Sequence, residues 1–374
     1  MGCKNVCIGD VATYRKDSIK PVAGVTYRCY SLPAFDNCRS PEILDGSEIL
    51  SSKLKIEKGD ILVNKLNMRF KRIWPLNELD DNSVCSTEFL PLHPKESVDP
   101  DFLLYTLLSD SFTKELSGMR TGTSGSHQRV KPEWVLGYRF DLPDLDCQRK
   151  IGIVLAAIDL KIACNAKING YLSELATIRF EQELANGESV FKFSELIELE
   201  DSKRVPLNSR DRETRKGPYP YYGATSIVDY VDDYLFDGIR VLLGEDGTVI
   251  REDGRPVLQY VWGKYWVNNH AHILKSKSAY SLEAIYIALA RTTISHIVTG
   301  AVQMKISQKN LNNLELEMPA LNDLSYLEDI FTLYRSNVEE SKKLASIRDS
   351  LLPKLMSGEI DVSKINPKQL NSHL

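Results

Sequence analysis

An apolar helical pattern that occurs twice constrains this chain more than any other sequence feature. The first copy, residues 146–183, contains no proline, and its apolar residues recur at three-, four- and seven-residue steps. That spacing gives a helix one apolar face. Asn165 and Asn169 interrupt this face, as polar residues do where they fix the register of paired helices. The pattern predicts a helix of about 30 residues, or ~45 Å, that needs a partner to be stable.

The second copy lies 176 positions later in the chain. Pro143 before the first helix matches Pro319 without a gap, and residues 121–130 have a looser counterpart in residues 299–307. So long a period indicates a duplicated domain rather than a repeat array, although two unrelated surface helices on one core are the alternative. We expect the two apolar faces to bury each other as a coiled coil. The residues expected to pack there are Ile151, Leu155, Ile158, Ile162, Leu172 and Leu175 in the first copy and Leu327, Phe331, Val338, Leu344 and Leu351 in the second.

The duplication predicts an α+β fold of two tandem mixed α/β domains, each followed by a long helix. Alternating apolar residues indicate short strands at residues 58–66 and 84–94. A helix is predicted at residues 99–116, with Asp99 as its cap and Pro100 in its first turn. The predicted ranges are 1–145 for the first domain, 146–190 for a central helical spacer, 191–322 for the second domain, 323–358 for the distal helix and 359–374 for a loosely ordered tail.

Composition bounds the class of protein. At 374 residues the chain is long enough for two domains with proper cores. Its net charge of −4 gives no global basic signature, so any nucleic-acid surface must be a local patch. No apolar run approaches the roughly 18 residues of a membrane span, and the first residues lack a signal peptide's apolar core. The seven cysteines include no CxxC pair, which predicts free thiols in a reducing cytoplasm and no structural zinc site.

Polar and basic residues cluster locally. In the first domain they fall at residues 65–72 and 120–131. In the second, residues 203–217 carry six Lys or Arg against two acids and lead into the aromatic segment YPYYGAT. Lys and Arg neutralise phosphates, whereas amide, hydroxyl and imidazole groups read base edges. Both regions suit a nucleic-acid surface, but composition alone favours a solvated loop in the first domain, and an exposed linker remains the alternative in the second.

The sequence offers few catalytic candidates. Glu245 and Asp246 are adjacent, so a strand would point them to opposite faces, which is poor geometry for an acid–base pair. His270 and His272 would share a strand face, but no third and fourth metal ligand is evident, so structural histidines are expected. No phosphate loop, dinucleotide fingerprint, HExxH or GxSxG motif occurs. The sequence therefore predicts a non-catalytic protein without a metal site.

Motifs in both halves resemble those of the specificity subunits of type I restriction–modification systems. The resemblance extends from about Tyr30 to Ile360. Cys147 departs from it, because an acidic residue is common there in the family. The motifs are YSLPAFD (30–36), SSK (51–53), ILVNKLN (61–67) and CSTEF (85–89), then LPDLDCQRKI (142–151), and then YPYYGATSIVDYV (219–231), FDGIRVLLGEDG (236–247), NNHAHIL (268–274) and LLPKLMSGEI (351–360).

The resemblance implies a mechanism. Each domain, as a target-recognition domain, would read one half of a split site in double-stranded DNA, and the helices would pack antiparallel and set the unread spacer. Two modification subunits would dock on the helices and methylate adenine at N6 with S-adenosylmethionine. Two restriction subunits, using ATP and Mg, would cut unmethylated DNA, and this chain would bind no cofactor. A helix of ~45 Å exceeds one DNA turn of ~34–36 Å, which is consistent with two readers on one side of the duplex.

We therefore expect DNA-contacting residues in both domains. The alternative is that YPYYGAT and NNHAHIL are core signatures of the fold, because specific readers place their variable residues at base edges. Two other functions remain open: a two-domain protein-binding scaffold without DNA readout, and an enzyme with an unrecognised site in the second domain. The expected contacts are Lys65, Asn67, Arg69, Lys71, Thr121, Ser124, His127, Gln128 and Arg129 for the first half-site and Arg212, Arg215, Lys216, Tyr222, Thr248, Lys264, Asn269, His270, Gln303 and Lys305 for the second.

Overall fold

The computed structural model describes residues 3–37, 39–119, 129–300, 303–321, 324–363 and 365. The chain divides into two compact units, residues 1–164 with 340–374 and residues 165–339. The first unit joins the two ends of the sequence, whereas the predicted ranges 1–145 and 191–322 are continuous, and those ranges stay a prediction. Among the residues described, no helix is long and apolar enough to cross a membrane.

The first unit alternates short strands with short helices before the first long helix. Its helices are α1 (Ile8–Val11), α2 (Leu32–Asp36), α3 (Pro100–Leu108), α4 (Asp110–Gly118), α5 (Pro132–Gly137) and the start of α6 (Leu145–Asn186). Its strands are β1 (Lys4–Cys7), β2 (Ala12–Tyr14), β3 (Ser18–Ile19), β4 (Thr26–Tyr30), β5 (Glu42–Asp45), β6 (Lys53–Lys55), β7 (Ile61–Asn64), β8 (Ile73–Pro75), β9 (Ser83–Cys85), β10 (Phe89–Pro94) and β11 (Arg139–Leu142).

The second unit has a similar but not identical order of elements. Its helices are α7 (Phe193–Leu196), α8 (Ser209–Thr214), α9 (Leu282–Arg291), α10 (Gln308–Asn312) and the start of α11 (Ser325–Met356), with 3-10 turns at Asp201–Lys203 and Ser295–Ile297. Its strands are β12 (Glu188–Lys192), β13 (Ile197–Leu199), β14 (Lys216–Tyr222), β15 (Ile227–Val231), β16 (Phe236–Asp237), β17 (Arg240–Gly244), β18 (Leu258–Val261), β19 (Lys264–Val267), β20 (Ala271–Ser276) and β21 (Glu315–Pro319).

The two units repeat one topology. The antiparallel sheet β2-β10-β7-β8 of the first unit matches β13-β20-β17-β18 of the second, and the closing pair β1-β11 matches β12-β21. The remaining sheets, β3-β6-β9-β4-β5 and β15-β14-β19-β16, each contain one parallel pair, β4-β9 and β14-β19. Each unit then leads into a long helix. The predicted α+β fold of two mixed domains, each followed by a long helix, is confirmed.

Side-chain caps explain where the helices beside the sheets begin. The Asp99 side chain accepts a hydrogen bond from the Phe102 amide, and Pro100 fills the first turn of α3, as predicted. Ser109 then ends α3 and caps α4 through a bond from the Phe112 amide, so the single helix predicted at residues 99–116 is two helices. Ser281 caps α9 in the same way, accepting from Ala284. A cap residue inside an apolar pattern is a local signal that apolar periodicity does not show.

The long helices α6 and α11 pack antiparallel, as predicted. In the first unit Arg348 of α11 donates to Asp159 of α6 at 2.5 Å. In the second unit the Asn337 amide donates to Asn169 at 2.9 Å, and Asn165 donates to the Asn337 carbonyl at 3.4 Å. From Asp159 to Asn169 the residue numbers of these contacts increase along α6, while from Arg348 to Asn337 they decrease along α11, as antiparallel packing requires. The asparagines that interrupt the apolar face thus contact the partner helix, as polar residues that fix register do.

Helix α6 is longer than predicted, and part of its inward face differs from the predicted one. Helix α6 has 42 residues rather than about 30, because its ends pack into the domain cores: Ile151 and Leu155 into the first and Phe180 into the second. Leu175 is a correction to the predicted packing set, since it is 46% exposed and Ala176 is buried instead. The next inward residue after the half-buried Leu172 is Ala176, four positions later, rather than Leu175, three positions later.

The remaining predicted packing residues lie at inward positions of the two helices. Leu327 and Phe331 are buried in the core of the second unit. The others are partly buried, namely Ile158, Ile162, Val338, Leu344 and Leu351. Residues 359–374 are predicted to form a loosely ordered tail. Among those that the structure describes, however, Val362 is buried in the core of the first unit.

Candidate nucleic-acid interface

The two family-like motifs of each unit meet where a pair of parallel strands ends. In the first unit the Ser86 amide, just after β9, donates to the carbonyl of Tyr30 at the end of β4, at 2.8 Å. In the second the Asn268 amide, just after β19, donates to the carbonyl of Tyr222 at the end of β14, at 3.0 Å. YSLPAFD and CSTEF therefore occupy the places of YPYYGAT and NNHAHIL. The carboxyl ends of parallel strands are a common place for ligand sites in α/β sheets.

Beside this junction in the first unit, backbone hydrogen bonds join the two predicted polar clusters. The Lys65 amide donates to the Glu88 carbonyl at 2.8 Å, and the Val130 amide donates to the Lys65 carbonyl at 2.9 Å. Leu66 and Arg129 form an isolated antiparallel bridge. The clusters at residues 65–72 and 129–131 thus lie side by side although more than 50 residues separate them.

The second unit repeats these bonds with different side chains. The Glu245 amide donates to the His270 carbonyl at 2.8 Å, and the Ile306 amide donates to the Glu245 carbonyl at 2.9 Å. Asp246 and Lys305 form the corresponding bridge. Four positions are therefore equivalent in the two units, and we call them the scaffold positions. They are Lys65 and Glu245, Leu66 and Asp246, Glu88 and His270, and Arg129 and Lys305.

The first-unit scaffold carries a mixed but mainly cationic surface. Arg129 contacts Glu88 at 2.5 Å, and its side chain is 63% exposed. Burial lowers the pKa of Lys65, although the nearby Glu88 carboxylate opposes that shift. In the adjoining turn, Arg69 and Arg72 lie 5.0 and 5.2 Å from the Phe70 ring.

The same turn contains two more of the residues that the sequence predicts to contact DNA. Asn67 adopts the left-handed φ of 54° that asparagine tolerates. Lys71 donates to Asp110 at 2.6 Å. Four other predicted contacts lie outside the described residues, namely Thr121, Ser124, His127 and Gln128.

The second-unit scaffold carries more acceptors. His270 Nδ1 contacts the Asp246 carboxylate, and Lys305 lies 3.5 Å from Glu245. The Gly247 amide donates to the Met304 carbonyl at 2.9 Å, which ties the loop after β17 to residues 303–305. The predicted contacts that meet here are all exposed or half-exposed, namely Thr248, Asn269, His270, Gln303 and Lys305.

The other predicted contacts of the second unit lie on the sheet that contains β14 and β15 or on the neighbouring helix α8 and its end. Arg215 pairs with Asp232 at 2.9 Å, and Lys216 with Asp229 at 2.6 Å. These are pairs of opposite charge that stabilise adjacent strands. Lys216 is the most exposed cation among these pairs.

The remaining members of this group contact aromatic rings. Arg212 lies 5.2 Å from the Tyr221 ring, and Lys264 lies 4.5 Å from the Tyr234 ring. Tyr222 packs edge-on against Tyr265, and burial raises its pKa. The residues predicted to contact the second half-site thus form two groups. Only the group that comprises Thr248, Asn269, His270, Gln303 and Lys305 lies at the scaffold.

Comparisons with known proteins bear on this duplicated arrangement. Residues 187–346 match the family model described as "Type I restriction modification DNA specificity domain". The matched residues include most of the second unit. Over 145 residues the chain is 30% identical to a Haemophilus influenzae protein named as a type I restriction enzyme specificity subunit, and it spans 37% of that relative and 38% of itself in doing so. The chain therefore covers little more than a third of that relative's length.

Two further comparisons reach both halves of the chain. The type I restriction enzyme MjaIX specificity subunit of Methanocaldococcus jannaschii is 20% identical over 318 residues, which cover 74% of this chain and 73% of the relative. The crystal structure of a type I restriction–modification system S subunit from M. genitalium matches with a TM-score of 0.55 at 15% identity, covering 95% of this chain and 96% of the other. That likeness supports the fold.

The second unit also holds a buried polar cluster that the sequence did not reveal. Asp201, Glu245 and His272 each offer an atom within 4.8 Å of the others. Of the two histidines weighed as metal ligands, only His272 belongs to this cluster, and Asp201 lies 71 residues from it, so no sequence spacing pointed to this group. The Arg204 guanidinium donates to Glu245 at 2.7 Å.

Hydrogen bonds satisfy this cluster from within the protein. His272 Nε2 lies 2.9 Å from the Ile306 carbonyl, which only accepts, and Nδ1 lies 2.6 Å from Asp201. Burial alone would raise the pKa of Asp201, but bonds from His272, the Ile273 amide and Gln308 hold it below its usual value. With Arg204 already balancing the carboxylates, the arrangement is that of a structural network that anchors residue 306 to β20.

Proposed function

We propose that this chain is a DNA-reading subunit in which each unit recognises one half of a split DNA target. The observation that carries the proposal is the pair of equivalent scaffolds, one in each unit, built by the same backbone hydrogen bonds but bearing different exposed side chains. One shared fold would then read two different half-sites. The family match of the second unit to a DNA specificity domain supports DNA as the ligand.

The charge distribution supports a local rather than a global DNA surface. A net charge of −4 gives no broad attraction to phosphates. Exposed cations nevertheless flank the scaffolds, with Arg69 and Arg129 in the first unit and Lys305 in the second. We expect weak DNA binding by the isolated chain and tight binding once partner subunits help to enclose the duplex.

We further propose that the exposed faces of the long helices dock two modification subunits. Tyr171, Leu175 and Ile178 lie at four- and three-residue steps on one side of α6 and are 59, 46 and 45% exposed. Ile347, 176 positions after Tyr171, occupies the matching place on α11 and is 48% exposed. Exposed apolar patches of this kind are typical of protein interfaces. The patch on α6 supports a docking face there, and Ile347 marks the equivalent position on α11.

In this proposal the chemistry belongs to the partners. Modification subunits would methylate adenine N6 with S-adenosylmethionine, and restriction subunits would use ATP and Mg to cut DNA that lacks the methyl group. The chain would select the target, and the paired helices would set the spacer between the half-sites.

Adenine methylation mapped across the genome, with and without this gene and with its partner genes intact, tests the proposal. We expect a split motif to lose N6-methyladenine when the gene is removed. Unchanged methylation, together with no complex between the chain and a modification subunit, would refute the proposal and favour the protein-binding scaffold.

A further inference from the structure

In each unit, a contact between two side chains joins scaffold positions. In the first unit it is the Glu88–Arg129 ion pair, and in the second it is the contact between Asp246 and the His270 imidazole. The Arg129 and His270 side chains are 63 and 46% exposed, and those of Glu88 and Asp246 are 25 and 19% exposed. Surface pairs contribute little to folding stability, so DNA can replace one partner at small cost.

The side chains at equivalent scaffold positions differ in hydrogen-bonding character. Where the first unit has the cation Lys65, the second has the anion Glu245. Where the first has the apolar Leu66, the second has the acceptor Asp246. The backbone bonds beneath them are the same within 0.1 Å. A constant backbone with exchanged donors and acceptors is what reading two different base sequences requires.

We propose that Arg129 reads a guanine in the first half-site and that Asp246 reads the amino group of a cytosine in the second. This inference rests on the DNA reading proposed above. Guanine presents two acceptors in the major groove, O6 and N7, which match the fork of an arginine. Cytosine presents the N4 amino group, which donates a hydrogen bond to a carboxylate.

The partner in each contact positions the reading group. Glu88, with its side chain 25% exposed, is anchored by its carbonyl to the Lys65 amide and holds the Arg129 guanidinium. His270 is anchored by its carbonyl to the Glu245 amide and contacts the Asp246 carboxylate.

The test uses the full chain in complex with its modification subunit. The wild-type split motif is first mapped by adenine methylation, and duplexes carrying the motif and each single base-pair change are then titrated with the complex. Arg129→Gln should lower discrimination at one G·C pair of one half-site by roughly ten- to hundredfold, with Arg129→Lys in between. Asp246→Asn should act on the opposite half-site and shift preference toward adenine, because asparagine pairs with adenine N6 and N7.

Matched controls alter ion pairs of the same units outside the scaffolds. Arg28→Gln breaks the 2.9 Å pair with Asp80, and Asp253→Asn weakens the pair with Arg255. Both should leave discrimination unchanged. If a split motif is bound but Arg129→Gln and Asp246→Asn act on the same half-site, or discriminate as wild type does, the inference is overturned and the proposed function stands. A complex that recognises no split motif would overturn both.

Discussion

Two histidines at the start of β20, one before the strand and one within it, show how burial decides the role of a residue. His270 is half-exposed at the scaffold and contacts Asp246, whereas His272 is fully buried between Asp201 and the Ile306 carbonyl. Spacing predicted that both would be structural, partly buried residues. Sequence could not separate them, because Asp201, Gln308 and Ile306 all lie more than 30 positions from His272.

Replacing the buried histidine should destabilise the second unit much more than replacing the exposed one. His272→Leu removes the partner of a buried carboxylate, so we expect the free energy of unfolding to fall by about 2–4 kcal/mol. His270→Leu, the matched control two residues earlier, should change it by less than about 1 kcal/mol. Chemical denaturation of the purified chain measures both, and equal losses would contradict the structural role assigned to His272.

At the scale of elements, the sequence was most informative where apolar periodicity is long. The duplication, the paired helices and the inward asparagines were all predictable, since an interrupted apolar face leaves few ways to pack. The equivalent scaffolds were not. They rest on backbone hydrogen bonds such as Lys65 to Glu88 and Glu245 to His270, and the side chains at those positions share no pattern that a sequence comparison would align.

The asparagine contacts should fix helix register at a cost in stability. Asn337→Leu removes the amide that donates to Asn169, and we expect a more stable but less specific helix pair that forms additional oligomers. Ser336→Leu, at the neighbouring exposed position, is the control. Thermal unfolding and sedimentation report stability and oligomeric state. A loss of stability without new oligomers for Asn337→Leu would argue against a register role.

The exposed face of α6 should be required for partner docking. Leu175→Glu places a charge in the centre of the patch formed with Tyr171 and Ile178, so we expect at least tenfold weaker binding of the modification subunit. The free energy of unfolding should change little, because Leu175 is 46% exposed. Glu174→Gln, on an adjacent exposed position, should bind as wild type. Calorimetry with the purified subunit makes the measurement, and wild-type affinity for Leu175→Glu would place the docking face elsewhere.

In the whole molecule, we propose that the paired helices α6 and α11 set the length of the unread DNA spacer. Inserting seven residues into both α6 and α11, opposite each other, would add about 10.5 Å of helix. With base pairs spaced 3.4 Å apart, the unread spacer should lengthen by about three base pairs while both half-sites stay the same. Insertion in α6 alone breaks the pairing register and should abolish methylation. A spacer that does not change after the paired insertion would contradict this role.

A domain exchange followed by adenine methylation mapping tests directly whether each unit reads one half of the target. Residues 1–145 would be replaced by the corresponding segment of a family member with a different target, with the partner genes unchanged. We expect a new split motif in which one half-site is altered while the other half-site and the spacer length are retained. A change in both half-sites, or an unchanged motif from a methylating complex, would contradict the claim that each unit reads one half of the target.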